Sequence, residues 1–344
     1  MTDRRTLLAT AVAGAAVAGV AGAVVSRRRS APPSTRLDDA DVLLRRPDLE
    51  PRVRTVVAED GARLHVREYG DPDADPIVLS HGWTCSADYW TPQINDLAGT
   101  YRVVVYDQRG HGASDVGTRP LGPDVLGDDL AAVLDATVST DRPAVLAGHS
   151  MGGMSVMAWA GEYPEQVRRY VKAILLANTA TDSLVRETTV IPLPPGVAQV
   201  PARVASSVMG SVLPIPSSPL SARALKYVTM GSASTRAQVA FCERIVRDCA
   251  PRTRGMWGSA LSTLDIRDAL HNIDVPTSVI VGTVDRLTPP VHARSLAEQL
   301  SRAGVLGGDT SGRLIELPGV GHMSSVEAIA EFDAELVRLA ELPA

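Results

Sequence analysis

Few of the devices that staple small or specialised chains together are present in this sequence. Among its 344 residues only Cys85, Cys242 and Cys249 are cysteine, and they form neither a C-x-x-C pair nor a metal-ligand spacing. Cys242 and Cys249 fall on what reads as one helix, about 10.5 Å apart along its axis, too far to bridge. A body of about 290 residues buries roughly three quarters of its unfolded surface, so its fold needs neither disulfide nor metal. Lysine is nearly missing: Lys172 and Lys226 are the two among 34 basic residues. The arginines are scattered and aromatics make up 4% of the chain, so there is no basic stripe interleaved with stacking rings. Nucleic acid is therefore not an expected partner. The H-E-x-x-H, P-loop and G-x-G-x-x-G spacings are missing as well, and no cofactor or metal is expected.

Long apolar runs are missing too, with one exception. Thr6 to Val25 carries no charge and as a helix spans about 30 Å, enough to cross a bilayer. Arg4 and Arg5 precede it, and Arg27, Arg28 and Arg29 follow. The pair of arginines before an Ala/Gly-rich run resembles a twin-arginine export signal, with Ala21-Gly22-Ala23 as a small-residue cleavage site. Asp3 departs from that pattern, and the trailing arginines suit an uncleaved anchor, since positive charge tends to stay inside. Residues 1–29 are thus expected to be an export signal or a membrane anchor outside the fold. Residues 30–51, polar and rich in Arg, Asp and Pro, read as a linker.

What is present begins at Arg52. Arg52–Ala58 and Arg63–Tyr69 flank Asp60-Gly61, a hairpin signal. Short apolar runs then follow at Ile77–Leu79, Tyr101–Val105, Ala144–Ala147, Ala173–Leu176, Ser278–Val281 and Leu314–Leu317. Helical patterns lie between them, at Gly122–Val138, Gly152–Gly161, Pro289–Leu300 and finally Ser324–Leu339. Apolar strands alternating with helices predict a doubly wound, mostly parallel α/β sheet covered on both faces. One interruption stands out. Residues 181–275 contain Pro-punctuated helical pieces and no strand, so a helical lid is expected there, inserted into a core made of 52–180 and 276–344.

Chemistry in such a sheet belongs on loops at the carboxyl ends of strands. After Val145-Leu146-Ala147 comes Gly148-His149-Ser150-Met151-Gly152, with a helical run beyond. A serine on a sharp strand-to-helix turn, with glycines where a Cβ would clash, is the pattern of a nucleophile elbow. By itself the pentapeptide is weak, because such short patterns recur by chance, so partners are required. After Ile77–Leu79 comes Ser80-His81-Gly82-Trp83, where Gly82 lets the Trp83 N–H turn inward beside that of Met151 to form an oxyanion hole. Asp285 follows Ser278–Val281, and Thr288 before Pro289 is the better-placed helix cap, which leaves Asp285 for another role. His322 follows Leu314–Leu317 in a Gly-x-Gly loop. The chain order Ser150, Asp285, His322 is that of a serine triad on a parallel sheet.

With these residues in place the chain resembles the α/β-hydrolase superfamily, in its lid-bearing branch of esterases, lipases and cofactor-free perhydrolases. The resemblance spans about Arg52 to Leu339. It is carried by His81-Gly82-Trp83, the run Tyr106-Asp107-Gln108-Arg109-Gly110-His111-Gly112-Ala113-Ser114, the elbow, the Asp285 loop and Gly321-His322. It implies ester hydrolysis through an acyl-enzyme, with Ser150 as nucleophile, His322 as base and Asp285 orienting the imidazole. The Asp107–Arg109 segment is expected to support structure only. Serine at the elbow separates this chain from relatives that open epoxides or displace halide. Perhydrolase, thioesterase and acyltransferase activity share the triad, and a ligand receptor with a nearly idle triad is the rival from another class. Val239, Cys242, Ile245, Val246 and Cys249 make an apolar stripe within the lid, Val208, Met209, Val212 and Leu213 a second, and Met256 with Trp257 adds bulk. Most of these are expected to pack the lid onto the core, and the lid is expected to cover an apolar acyl pocket for short-to-medium uncharged chains.

Overall fold

The computed structural model describes residues 39–182, 184–190, 210, 212, 218–307 and 311–343. The apolar run at 6–25, the first part of the expected linker, and Val208, Met209 and Leu213 lie outside the described residues. Among the described residues no helix is long and apolar enough to cross a membrane.

Eight strands form one sheet: β1 Arg52–Val57, β2 Arg63–Tyr69, β3 Pro76–Ser80, β4 Arg102–Tyr106, β5 Ala144–His149, β6 Val171–Ala177, β7 Thr277–Gly282 and β8 Leu314–Leu317. Their order is β1-β2-β4-β3-β5-β6-β7-β8. β1 and β2 pair antiparallel around Gly61, whose φ of 83° only glycine adopts freely. β2 joins β4 antiparallel, and every later pairing is parallel. The hairpin and the apolar-run strands are where the sequence puts them.

Side chains alternate across a strand, so each apolar run feeds two cores. Val78, Val104, Leu146, Ile174 and Val279 enter one, with Leu130, Leu134, Val156 and Trp159 from helices Pro123–Thr137 and Met151–Glu162. Ile77, Leu79, Val105, Val145 and Leu175 enter the other, against Trp90, Ile94, Phe332 and Leu336. Each large apolar side chain so buried contributes about 1.5–3 kcal/mol, which is why these runs carry no alternating polar residues.

Between β6 and β7 lie helices Leu184–Glu187, Pro219–Thr229, Arg236–Asp248 and Pro251–Leu261, and no strand among the described residues. Ser218 and Thr235 start two of them with reciprocal capping boxes, using Ser221 and Gln238. Cys242, Ile245, Val246 and Cys249 are buried, and Cys242, Ile245 and Val246 pack into the second core. The Trp257 ring is fully buried in the first core and donates its N–H to the Arg109 carbonyl at 2.8 Å. These apolar residues dock the insertion onto the core, as expected for most of the stripe. Burial against existing core removes more apolar surface from water than lining a wet pocket would. Val212, by contrast, is 57% exposed.

Two smaller differences follow from local chemistry. The last helix breaks at Ala328 (φ −136°, ψ 59°) into Ser324–Glu327 and Ile329–Ala340. Part of the expected linker is ordered against the body: Leu44 is buried, and the Asn95 amide donates to the carbonyls of Leu43 and Arg45 at 2.7 and 2.8 Å.

Candidate active site

β3 and β5 are neighbours, yet the chain leaves β3 towards β4 on one side and β5 towards β6 on the other. That reversal opens a crevice beyond the carboxyl ends of β3 and β5, where ligands bind in open parallel sheets. Ser80-His81-Gly82-Trp83 and His149-Ser150-Met151 are the residues that emerge there.

Ser150 sits between β5 and helix Met151–Glu162 with φ 53° and ψ −117°, a conformation that non-glycine residues avoid. The surroundings impose it. Ser150 N–H is held by the Ala177 carbonyl at 2.9 Å, and the Thr179 hydroxyl donates to the Ser150 carbonyl at 2.8 Å. The flanking glycines have the reason expected of them: a Cβ on Gly148 would overlap the Gly152 carbonyl, and one on Gly152 the Ser80 carbonyl. The tight turn leaves Ser150 at the N-terminus of a helix, where unpaired N–H groups favour negative charge.

The loop after β3 is fixed from below. His81 Nδ1–H donates to the Gly82 carbonyl at 2.8 Å, and its Nε2 accepts the Gln108 N–H at 3.0 Å. Gln108 returns its amide N–H to the His81 carbonyl and accepts the Ser155 hydroxyl at 2.8 Å. A Cβ on Gly82 would come within 2.8 Å of His149 Nδ1 and 3.1 Å of Ser150 Cβ, so a side chain here would push on the elbow. The Trp83 indole N–H is turned to the Arg254 carbonyl at 3.0 Å. The backbone N–H groups of Trp83 and Met151 have no partner among the described residues.

Asp285 and His322 lie on the loops after β7 and β8 and are bonded, Nδ1 to Oδ2 at 2.9 Å. Four further donors reach the Asp285 carboxylate. Oδ1 takes the N–H groups of Leu287 and Thr288 at 2.9 and 3.0 Å, and Oδ2 takes the Asn178 amide and Thr288 hydroxyl, both at 2.8 Å. Burial alone would raise this carboxyl, but the charge and N–H of His322, with Asn178 and Thr288, hold it below the ordinary carboxylate range. It stays ionised and fixes which imidazole nitrogen carries the proton. Thr288 is therefore not the expected helix cap. The next helix starts at Pro290, and the Thr288 hydroxyl is spent on Asp285 because that charge is the stronger acceptor.

His149 joins the two halves of the site. Its Nε2–H donates to the His322 carbonyl at 2.8 Å, and the two rings lie 4.9 Å apart. Burial pushes His149 down to about 3, as it does His111, so both stay neutral. Ser150 Oγ makes no hydrogen bond among the described residues, whereas Asp285 and His322 are already joined. Such contacts commonly tighten only in the complex with substrate.

The sequence reading missed Asn178 and His149 as supports. Asn178 has a φ of 48°, and its amide N–H groups reach both Asp285 and the Gly321 carbonyl. Its signal was an Asn directly after a strand, a residue type that tolerates positive φ. The Asp107–Arg109 segment is structural, as expected. Asp107 accepts the N–H groups of Ala87 and Ala113, and buried Arg109 bridges Asp129 and Asp60 at 2.6–2.8 Å. Among the described residues no three His, Cys, Asp or Glu side chains are grouped as metal ligands would be.

The alpha/beta hydrolase fold family matches residues 75–328, and this chain belongs to that family. A non-heme chloroperoxidase from Streptomyces lividans is 29% identical over 72% of this chain and 87% of its own length. A bifunctional esterase/perhydrolase from Acinetobacter calcoaceticus is 28% identical over 79% of this chain and 94% of its own. Among solved structures, an esterase from Rhodococcus superposes with a TM-score of 0.62 at 25% identity, covering 85% of this chain and 99% of that one.

Proposed function

We propose that the protein is a serine hydrolase of carboxylic esters acting through an acyl-enzyme. The observation that carries this reading is the bonded pair of Asp285 and His322 across the strand ends from a serine held in a strained strand-to-helix turn. In the proposed cycle His322 Nε2 takes the Ser150 proton as Oγ attacks the ester carbonyl. The negative charge that develops on the carbonyl oxygen is met by the unpartnered N–H groups of Trp83 and Met151. His322 then protonates the leaving alcohol, and water repeats the sequence in reverse to free the acid. Throughout, ionised Asp285 stabilises the imidazolium without taking its proton.

The acyl group is proposed to be uncharged and short to medium in length, and the insertion to serve as a lid over it. The support is chemical: Gly82, neutral His149 and Thr179 surround the serine turn, and none brings a charge to bind a phosphate or carboxylate. A second acceptor is supported by the esterase/perhydrolase among the relatives, since hydrogen peroxide attacks the same acyl-enzyme as water does.

The test is labelling with a fluorophosphonate, together with turnover of p-nitrophenyl butyrate with and without added peroxide. Labelling lost in Ser150→Ala is expected. Full labelling of that variant would assign the nucleophile elsewhere, and a labelled protein without turnover would favour a receptor.

A further inference from the structure

A carboxylate outside the proposed triad grips the histidine loop and the insertion at once. Glu327 ends the short helix Ser324–Glu327. Its Oε1 accepts the N–H groups of Gly321 and Met323, at 3.1 and 3.2 Å, the two residues flanking His322. Its Oε2 accepts the Gly231 N–H at 2.6 Å and the Ser234 hydroxyl at 2.8 Å, in the segment joining helices Pro219–Thr229 and Arg236–Asp248. The His322 N–H itself goes to the Thr229 carbonyl at 2.8 Å. Three consecutive backbone positions around the histidine are therefore held by one carboxylate and one carbonyl, two of them through Glu327.

The backbones also touch. A Cβ on Gly321 would come within 2.6 Å of Met230 Cα, and a Cβ on Gly231 would overlap the Gly319 carbonyl. The Gln238 amide, one turn into the next helix, donates to the Val326 carbonyl at 2.8 Å. Loop and insertion therefore meet backbone to backbone at these two glycines, with the Glu327 carboxylate bonded to both sides.

We propose that Glu327 is a positioning residue that couples the placement of His322 to the stem of the lid. A displacement of the 229–234 segment is transmitted to the imidazole through the two oxygens of one rigid carboxylate, and His149 and Asp285 hold the ring from the other side. Because a misplacement of about 1 Å in a catalytic group costs about a hundredfold in rate, the coupling acts on the chemical step and not only on substrate entry. The proposal rests on the serine-hydrolase reading.

The test compares kcat and KM for p-nitrophenyl butyrate in wild type, Glu327→Ala, Glu327→Gln and Ser234→Ala. The downfield proton resonance of the His322–Asp285 hydrogen bond is followed in each. Glu327→Ala is expected to lower kcat about a hundredfold with KM changed less than about threefold, and to broaden or lose that resonance. Glu327→Gln should fall between, because its carbonyl still accepts the Gly321 and Met323 N–H groups while its amide can donate to Ser234 only. Ser234 bonds to Glu327 and Gly231 and not to the histidine, yet Ser234→Ala should lower kcat by about three- to tenfold. A wild-type kcat and resonance in folded Glu327→Ala would overturn the proposal, as would losses confined to KM. Should Glu327→Ala not fold, an unchanged kcat and resonance in both Glu327→Gln and Ser234→Ala overturn it instead. Turnover that survives in Ser150→Ala would sink the hydrolase reading, and the resonance would still decide the coupling.

Discussion

Asp285 and Asp333 are both buried aspartates, 3% and 2% exposed, and they behave in opposite ways. At the strand ends, five donors converge on Asp285, and its carboxyl is held below the ordinary range. On the helix Ile329–Ala340, Asp333 receives the Gln93 amide at 2.9 Å. Burial, with the Asp96 carboxyl nearby, pushes Asp333 up to about 8. Depth alone thus does not decide whether a carboxyl keeps its charge. What separates the two regions is the number of N–H and O–H groups that the loops after β6, β7 and β8 deliver to one carboxylate.

The largest expected effect tests whether the Asp285 region is catalytic at all. Ser150→Ala and His322→Ala should each lower kcat by about 10⁶-fold, and the double variant hardly more, because the groups act as a unit. Additive losses in the double variant would show that the two side chains work separately. Next, Asp285→Asn should cost about 10⁴-fold, through the wrong imidazole tautomer and an amide set against converging donors. Near-full activity in that variant would move the acid role away from Asp285 and remove one side of the comparison.

The Asp333 side is read through stability. Between the ordinary aspartate value of 3.8 and about 8, the folded chain keeps a proton that the unfolded chain has released. The stabilisation is complete below that lower value and is lost as pH rises, by up to about 1.4 kcal/mol per unit. Asp333→Asn should flatten this slope in urea titrations at pH 5 and 8, raising stability at pH 8 without lowering activity. An unchanged slope would show that Asp333 titrates normally.

A smaller effect concerns the acyl group. From p-nitrophenyl acetate to longer esters, each added methylene should raise kcat/KM nearly fourfold, about 0.8 kcal/mol, until the pocket is full. Steady decline from acetate onward would remove the apolar acyl preference and leave the triad alone. Least of all should change on deleting residues 1–29, since the sheet begins at Arg52 and the contacts of the 39–45 segment with the body lie outside the deletion. Loss of folding in that truncation would mean that the N-terminal segment packs on the body.

The comparison also shows what a sequence discloses. The placement of Ser150, Asp285 and His322 at strand ends was legible because each follows an apolar run, and backbone geometry dictates the residues around it. Gly148 and Gly152 announce the tight turn by lacking a Cβ. Asn178, Thr288 and Glu327 were not legible as supports, because their partners are 107, 34 and 96 residues away for at least one bond each. No local spacing encodes such pairs. The apolar stripe on Arg236–Asp248 shows the limit from the other side. Period and composition mark a buried face, but whether it meets a pocket or the sheet depends on a docking angle that only the folded chain fixes.

The left-handed backbone at Ser150 has a consequence for anyone engineering this protein for durability. Glycine adopts that conformation freely, while a serine there carries about 1–3 kcal/mol of strain. Ser150→Gly is therefore expected to melt at a higher temperature than the native chain while hydrolysing nothing. Selection on heat resistance alone would drift towards discarding the proposed nucleophile, and any stabilisation campaign must score turnover beside melting temperature to keep it.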